Sequence, residues 1–264
     1  MKSTEWRNQA EDRARILRSL HCPGTPVIFA NVFDAPTAEI VAQNPATKAL
    51  ATASFAIAAV RGLDDDDLDL ETNIEALKHI IPVALEHGKP ITVDIQDGYG
   101  DDLESVVTRI IELGASGCNI EDRDNSTGGL LSKEIATERI QRVCHAASVA
   151  GVPSFVVNAR TDAILLNNDI DDAINRGRSY LHEGATTALV WGGLQRGLAR
   201  GEVERISTAF DGRLNVIARL NTGGLSIREL AEIGVARISV GPALWRHAMS
   251  SFREKMQEYL IPER

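Results

Sequence analysis

Cysteine is scarce in this chain. Cys22, Cys118 and Cys144 are the three among 264 residues, far apart, with no CxxC and no Cys/His cluster. That excludes a disulfide frame and a structural zinc site, and it reads as free thiols in a reducing compartment. No apolar run approaches the roughly 18 to 20 residues that span a bilayer. The charged stretch from Met1 to Leu20 lacks the apolar core of a signal peptide. The sequence therefore predicts a cytoplasmic protein. Positive charge is in deficit as well, with 28 Lys and Arg against 37 Asp and Glu and a net charge of −9. Nucleic acid and anionic membrane would be repelled, so neither is expected as a partner. No Pro/Ser-rich or low-complexity linker divides the chain, and residues 1–264 read as one domain.

Short apolar or β-branched runs recur along the sequence, each followed by a helical pattern. The predicted strands are Pro26–Asn31, Ala49–Ala53, Ile91–Asp94, Gly117–Glu121, Ser154–Asn158, Ala188–Trp191, Asn215–Arg219 and Ala236–Val240. Several are apolar nearly throughout, as strands of a parallel sheet buried on both faces should be. Between them, Thr72 and Glu75 fit a capping box for a helix through Ile74, Leu77, Ile81 and Leu85, which Pro82 should kink or end. Ser132 is placed to cap the next long helix, with Gly151 as its stop. Asp169 or Asp171 opens another that ends before Gly184. Pro242 suits the first turn of a final helix whose Leu244, Ala248, Phe252, Met256 and Leu260 form one stripe. Eight strand–helix alternations, without the Gly-x-Gly-x-x-Gly turn of an open dinucleotide-binding sheet, predict an α/β fold: a (β/α)₈ TIM barrel.

Chemistry in such a barrel collects where the strands end. Those ends carry Asn31 to Asp34, Ser54, Asp94 to Gly100, Glu121-Asp122, Asn158 to Asp162 and Arg219 to Asn221. Carboxylates from two strands thus meet the arginine of a third, an arrangement suited to a hard divalent ion beside an anionic substrate. An acidic residue after a strand is also a common helix cap, and Asp34 and Asp162 read equally well that way. Asp94 and Glu121 each end an apolar run, where an uncompensated carboxylate would be costly, so a cation or Arg160 is the natural partner. Arg160 itself reads either as a substrate clamp or as their counter-ion. In the acidic run Asp64 to Asp69 most side chains should be solvated, with one able to reach back over the barrel mouth. The glycines at 223, 224 and 241 read as tight turns or as a phosphate site. No histidine falls at a strand end, which argues against a Ser-His-Asp triad or a histidine metal site.

Taken in order, Asn31-Val32-Phe33-Asp34-Ala35, Ser54, Asp94-Ile95-Gln96-Asp97-Gly98-Tyr99-Gly100, Ile120-Glu121-Asp122, Ala159-Arg160-Thr161-Asp162-Ala163 and Gly234 to Gly241 resemble the successive motifs of the isocitrate lyase/PEP mutase superfamily. The resemblance runs from about residue 15 to 255. It implies an α/β barrel assembled as a homotetramer, with the last helix, residues 242–260, exchanged between subunits. It implies Mg²⁺ held largely through water, with Asp94, Gln96, Asp97 and Glu121 as the candidate metal set. Asp65, Glu121 and Arg160 become the candidate catalytic residues. Ser54, the backbone amides of Phe55 and Ala56, Arg160 and Asn221 become the substrate-binding set. The implied chemistry breaks or makes a C–C or P–C bond beside an enolpyruvate-type oxyanion.

Two departures narrow that implication. Other members carry Asp-x-Asp after the third strand, whereas Gln96 stands at the second acidic position here. The isocitrate-type lyases also carry a Cys-Gly-His motif after the fourth strand; here that loop reads Arg123-Asp124-Asn125-Ser126-Thr127-Gly128-Gly129. A cysteine-dependent cleavage of isocitrate is therefore not expected. The leading expectation is a Mg²⁺-dependent lyase or decarboxylase acting on an oxaloacetate-like 2-oxo acid. Phosphonomutase or phosphonopyruvate hydrolase chemistry is the alternative, and a non-catalytic barrel that binds a 2-oxo acid is a third reading.

Overall fold

The structure is a computed structural model in which residues 3–219 and 223–260 are described. In chain order the elements are α1 (Thr4–Ser19), β1 (Val27–Phe29), β2 (Asn31–Val32), α2 (Ala35–Gln43), β3 (Leu50–Thr52), α3 (Ser54–Ala59), α4 (Leu70–Glu86), β4 (Ile91–Asp94), α5 (Leu103–Leu113) and β5 (Gly117–Glu121). They continue with α6 (Lys133–Val149), β6 (Val156–Thr161), α7 (Ala163–Asn167), α8 (Ile170–His182), β7 (Thr187–Val190), α9 (Arg200–Ala209), β8 (Leu214–Ile217), α10 (Ile227–Ile233), β9 (Arg237–Ser239) and α11 (Ala243–Leu260).

All the strand pairs are parallel, in the order β1-β9-β8-β7-β6-β5-β4-β3-β2. β1 and β2 are two halves of the first predicted strand. The lower half pairs with β9 through Val27↔Arg237, and the upper half pairs with β3 through Asn31↔Ala51. That offset closes the barrel, because tilted strands must shear past one another to meet. Where the first helix packs, Leu17 lies among Val27, Ala49 and Val156 at the starts of their strands. The Arg18 guanidinium ties α1 to the carbonyls of Ser154 and Phe155 at 3.2 and 3.0 Å.

The expected (β/α)₈ class is the observed one, and the differences are local. The cap of α4 is Asp69, whose carboxylate accepts from the Thr72 N–H at 2.7 Å, so the helix begins before the predicted Thr72–Glu75 box. Pro82 neither ends nor divides α4. It lies on the exposed face together with Lys78, whose carbonyl loses its partner, so water can satisfy that carbonyl while Leu77, Ile80, Ile81 and Ala84 hold the buried face. Ser132 and Asp169 cap α6 and α8 as expected, accepting from Ile135 N–H at 3.2 Å and Asp172 N–H at 2.9 Å. β6 runs three residues past its predicted end, which places Arg160 within the strand.

Just behind the strand ends, Asp122 fixes the rim. Its buried carboxylate accepts from the Asp162 N–H at 2.9 Å, the Tyr180 hydroxyl at 2.7 Å and the Arg176 guanidinium at 3.2 Å. It joins the end of β5 to the end of β6 and to α8. Removing one partner of a buried pair strands the other. Asp122→Ala should therefore cost roughly 3 kcal/mol and lower Tm by about 6–12 °C; a shift under about 2 °C in a melting curve would show that this network is dispensable.

Candidate functional site

The inward face of the barrel is polar. Asn119 Nδ2 donates to an Asp94 carboxylate oxygen at 3.0 Å, Asn158 Nδ2 to Asn119 Oδ1 at 2.7 Å, and Thr187 Oγ1 to Asn158 Oδ1 at 2.7 Å. On the other side, Ser239 Oγ donates to Asn215 Oδ1 at 3.3 Å. These residues alternate with outward apolar neighbours such as Cys118, Val157 and Ile238, as strand geometry requires. Asn119, Asn158, Asn215 and Ser239 floor a cavity of about 340 Å³ that Ser54, Phe55, Asp65, Asp94, Glu121 and Arg160 also line. A second, larger cavity of about 510 Å³ shares Trp191, Leu194, Ile217 and Arg246 with it but has neither Asp94 nor Glu121. The titratable chemistry belongs to the smaller one.

Arg160 is the centre of that cavity. Its Nη1 lies 2.7 Å from Glu121 Oε2, and its Nε and Nη2 each donate to an Asp162 oxygen at 2.7 Å. The Trp191 ring covers it at 4.2 Å. Burial alone would lower the arginine pKa, but Asp162 and Glu121 outweigh it and hold the guanidinium charged. Burial pushes Glu121 upward, as do Asp162, Asp94 and Asp65, while Arg160 opposes them. Asp162 is thus an ion-pair partner and not a helix cap. Asp34, by contrast, does cap α2, accepting from the Thr37 N–H at 2.8 Å.

Asp94 ends β4. One of its oxygens accepts from the Ser54 N–H at 3.0 Å, the other from Asn119, and its own N–H donates to Thr52 Oγ1 at 2.8 Å. Asp65, from the acidic run, is the one that reaches back. Its carboxylate takes a hydrogen bond from Ser54, and burial followed by the Asp94 charge raises its pKa. Asp66 instead pairs with Arg123, at 2.7 and 2.8 Å, and anchors the loop after β5.

Three expected residues stand elsewhere. Gln96 does not line the cavity: it adopts φ 50°, and its Nε2 donates to the Asp65 carbonyl at 2.6 Å and the Asp65 carboxylate at 3.2 Å. An amide can donate there and a carboxylate cannot, so Gln96 positions Asp65, while its own Oε1 is buried without a partner. Asp97 is turned away by the left-handed backbone at Gln96, Gly98 and Tyr99, and its oxygens accept from the N–H groups of Tyr99 at 2.9 Å and Asn125 at 3.2 Å. Ala56 is buried and spends its N–H on the Ala53 carbonyl at 3.1 Å, which leaves Phe55 as the residue after Ser54 on the cavity wall. Asn221 lies outside the described residues.

No group of three His, Cys, Asp or Glu side chains converges as a direct ligand set among the described residues. Asp65 and Asp94, however, sit side by side with no arginine or lysine in ion-pair reach among those residues, and the Asp94 charge raises the cost of charging Asp65. That donor set fits a small divalent cation that keeps most of its water. Sequence reasoning missed Arg237, Arg246 and the asparagine belt, and it left Trp191 open. An arginine inside an otherwise apolar strand, at Arg237, was the available signal.

A family model described as Phosphoenolpyruvate phosphomutase matches residues 17–260. A Burkholderia cenocepacia crystal structure, provisionally assigned as a phosphonomutase, superposes with a TM-score of 0.84 at 33% identity, over 94% of this chain and 99% of that one. An uncharacterized protein of Mycobacterium tuberculosis is 29% identical over 84% of this chain and 80% of its own length. An oxaloacetate decarboxylase of Rhodopseudomonas palustris is also 29% identical, over 77% of this chain and 68% of its own. The chain belongs to the phosphoenolpyruvate phosphomutase family, whose members are lyases and mutases, and it is an enzyme of that kind.

The raised carboxyls give a pH test. Asp65 carries a folded pKa above its unfolded value of ~3.9. Its contribution to stability is complete below that value and is lost as pH rises through the folded pKa. Glu104 has the opposite slope, since the hydrogen bond from Arg142 lowers it to about 2, so the comparison must be with the parent. Without divalent ions, Asp65→Asn should melt above the parent at pH 7, with the gap closing toward pH 4. Coincident melting curves at both pH values would contradict the reading.

Proposed function

We propose that the enzyme is a Mg²⁺-dependent carbon–carbon lyase acting on a small oxaloacetate-like 2-oxo acid. The observation that carries this reading is one cavity at the strand ends that joins an unpaired Asp65–Asp94 carboxylate pair to a buried, permanently charged arginine. The similarity to an oxaloacetate decarboxylase supports the substrate class.

In this reading Asp65 and Asp94 would hold the ion, with Glu121 beside them. Bound there, Mg²⁺ supplies a Lewis acid for the negative charge that develops on the 2-oxo oxygen as the bond breaks. Arg160 holds a substrate carboxylate, and Trp191 keeps water from the face of its guanidinium. Ser54 and Gln96 fix where Asp65 points. For oxaloacetate the bond between C3 and the remote carboxylate breaks, its electron pair moves toward the 2-oxo oxygen, and carbon dioxide leaves. A proton from water then adds at C3 and yields pyruvate.

A thiol-dependent route has no support here. Cys118 is buried in β5 with its thiol pushed upward by burial, outside the cavity, and the loop after β5 brings no cysteine. P–C bond chemistry is the second reading, favoured by the 33% identity to the Burkholderia protein.

We also propose a homo-oligomer, a tetramer in which α11 is exchanged. No residue of α11 is buried, and Phe252, Met256, Tyr259 and Leu260 are all exposed on it. Outward-facing Ile28 of β1 is left 44% exposed. A second copy of this chain would cover both surfaces.

Oxaloacetate and phosphonopyruvate should be assayed side by side with Mg²⁺. Oxaloacetate should be consumed, and Asp94→Asn or Arg160→Lys should each lower turnover by at least about 100-fold. Turnover of phosphonopyruvate alone would transfer the reading to P–C chemistry, and near-normal rates in either variant would defeat the site. Sedimentation should give a species of about four chains; a monomer at micromolar concentration would remove the exchanged helix.

A further inference from the structure

Arg237 lies inside the barrel on β9, level with Val27 and Asn215, and it lines the same cavity as Arg160. The residue is 3% exposed. Its Nε and Nη1 are buried without a hydrogen-bond partner, and among the described residues it forms no ion pair. What it does have is the face of Phe29, 4.4 Å from the guanidinium. Asn215 Oδ1 accepts from Ser239, and the Asn119 and Asn158 amides bond to Asp94 and to each other, while the nearby His21 keeps a buried Nε2 that is likewise unpartnered. Burial pulls its pKa down to about 9, so at neutral pH it remains a cation.

A buried cation with unused donors is costly, and a cation–π contact offsets only part of that. Every other arginine in the cavity is differently occupied. Arg123 is paired with Asp66, Arg160 with Glu121 and Asp162, and Arg246 stacks on Phe55 at 4.6 Å. Arg246 is exposed and can give its donors to water, whereas Arg237 is buried and its Nε and Nη1 meet no acceptor among the described residues.

We infer that Arg237 is a second anion anchor at the floor of the cavity, and that the enzyme's ligand is a small dianion whose far carboxylate it binds. The inference deepens the 2-oxo acid reading and rests on it for the identity of the near end of the ligand. A cavity of about 340 Å³ is the right scale for a four-carbon dicarboxylate. A guanidinium binds a carboxylate through two parallel N–H donors on one edge, and at Arg237 each such edge joins Nη2 to one of the two unpartnered buried atoms, Nε or Nη1.

The test uses ligands that cannot react. Calorimetric titration of the whole protein with Mg²⁺ present should show succinate binding at least about tenfold more tightly than butyrate, which has the same chain length and one charge fewer. Arg237→Met should abolish that preference, and Arg237→Lys should retain part of it. Removal of the uncompensated charge should also raise the Tm of unliganded Arg237→Met above the parent, which checks that the variant is folded. An unchanged succinate-to-butyrate ratio in Arg237→Met, or no succinate binding by the parent, would show that Arg237 only fills the barrel. These titrations involve no turnover. Failure of oxaloacetate consumption would therefore remove the lyase reading and leave the Arg237 result standing.

Discussion

The buried guanidinium of Arg160 is the constraint on which the mouth of this barrel depends. It sits between Glu121 and Asp162, each 2.7 Å away, under the Trp191 ring. A buried pair of this kind stabilises little over a well-packed apolar cluster, but loss of one partner costs several kcal/mol. The ends of β5 and β6 and the loop after β7 are thereby tied to one charge. Asp122, behind them, does the same for the backbone of Asp162 through its hydrogen bond to that N–H. The site is stiff around Arg160 and short of cations where Asp65 and Asp94 meet.

That imbalance separates the roles of the acidic residues. Glu121 and Asp162 have their counter-charge within the chain, while Asp65 and Asp94 have amides and hydroxyls only. Nature of donor matters as much as charge here. Gln96 looks like a weakened ligand in the sequence, yet it delivers the N–H that turns Asp65 inward. A carboxylate at that position would repel Asp65 and could not donate to its carbonyl.

The barrel and most of the site were legible because both follow from local rules. Apolar runs of four to six residues marked the strands, and the last residues of two of those runs, Asp94 and Glu121, marked the cavity, with Arg160 two residues past the end of a third. What was not legible depends on backbone turns and long-range partners. Asp97 and Gln96 could not be told apart until the left-handed turn through Gln96, Gly98 and Tyr99 was known. Gly98 adopts φ 90°, where L side chains are strained, and a Cβ there would also press on Leu103 Cδ1 at 2.6 Å, so that turn favours glycine. Pro82 breaks the helix in a propensity argument and not in the fold, because its exposed position lets solvent satisfy the freed carbonyl. Arg237 stood out as an arginine in an otherwise apolar strand, but only the fold shows that it turns toward the cavity.

The central claim is that a divalent ion and an enolpyruvate-like oxyanion bind together at Asp65, Asp94 and Arg160. Oxalate mimics that oxyanion and cannot be turned over. The most direct measurement is the melting temperature of the purified protein with oxalate and Mg²⁺, separately and together. The account predicts a rise that requires both, since the ion links the paired carboxylates to the ligand. No rise under any of the three conditions, or a rise with oxalate that Mg²⁺ does not alter, would contradict it.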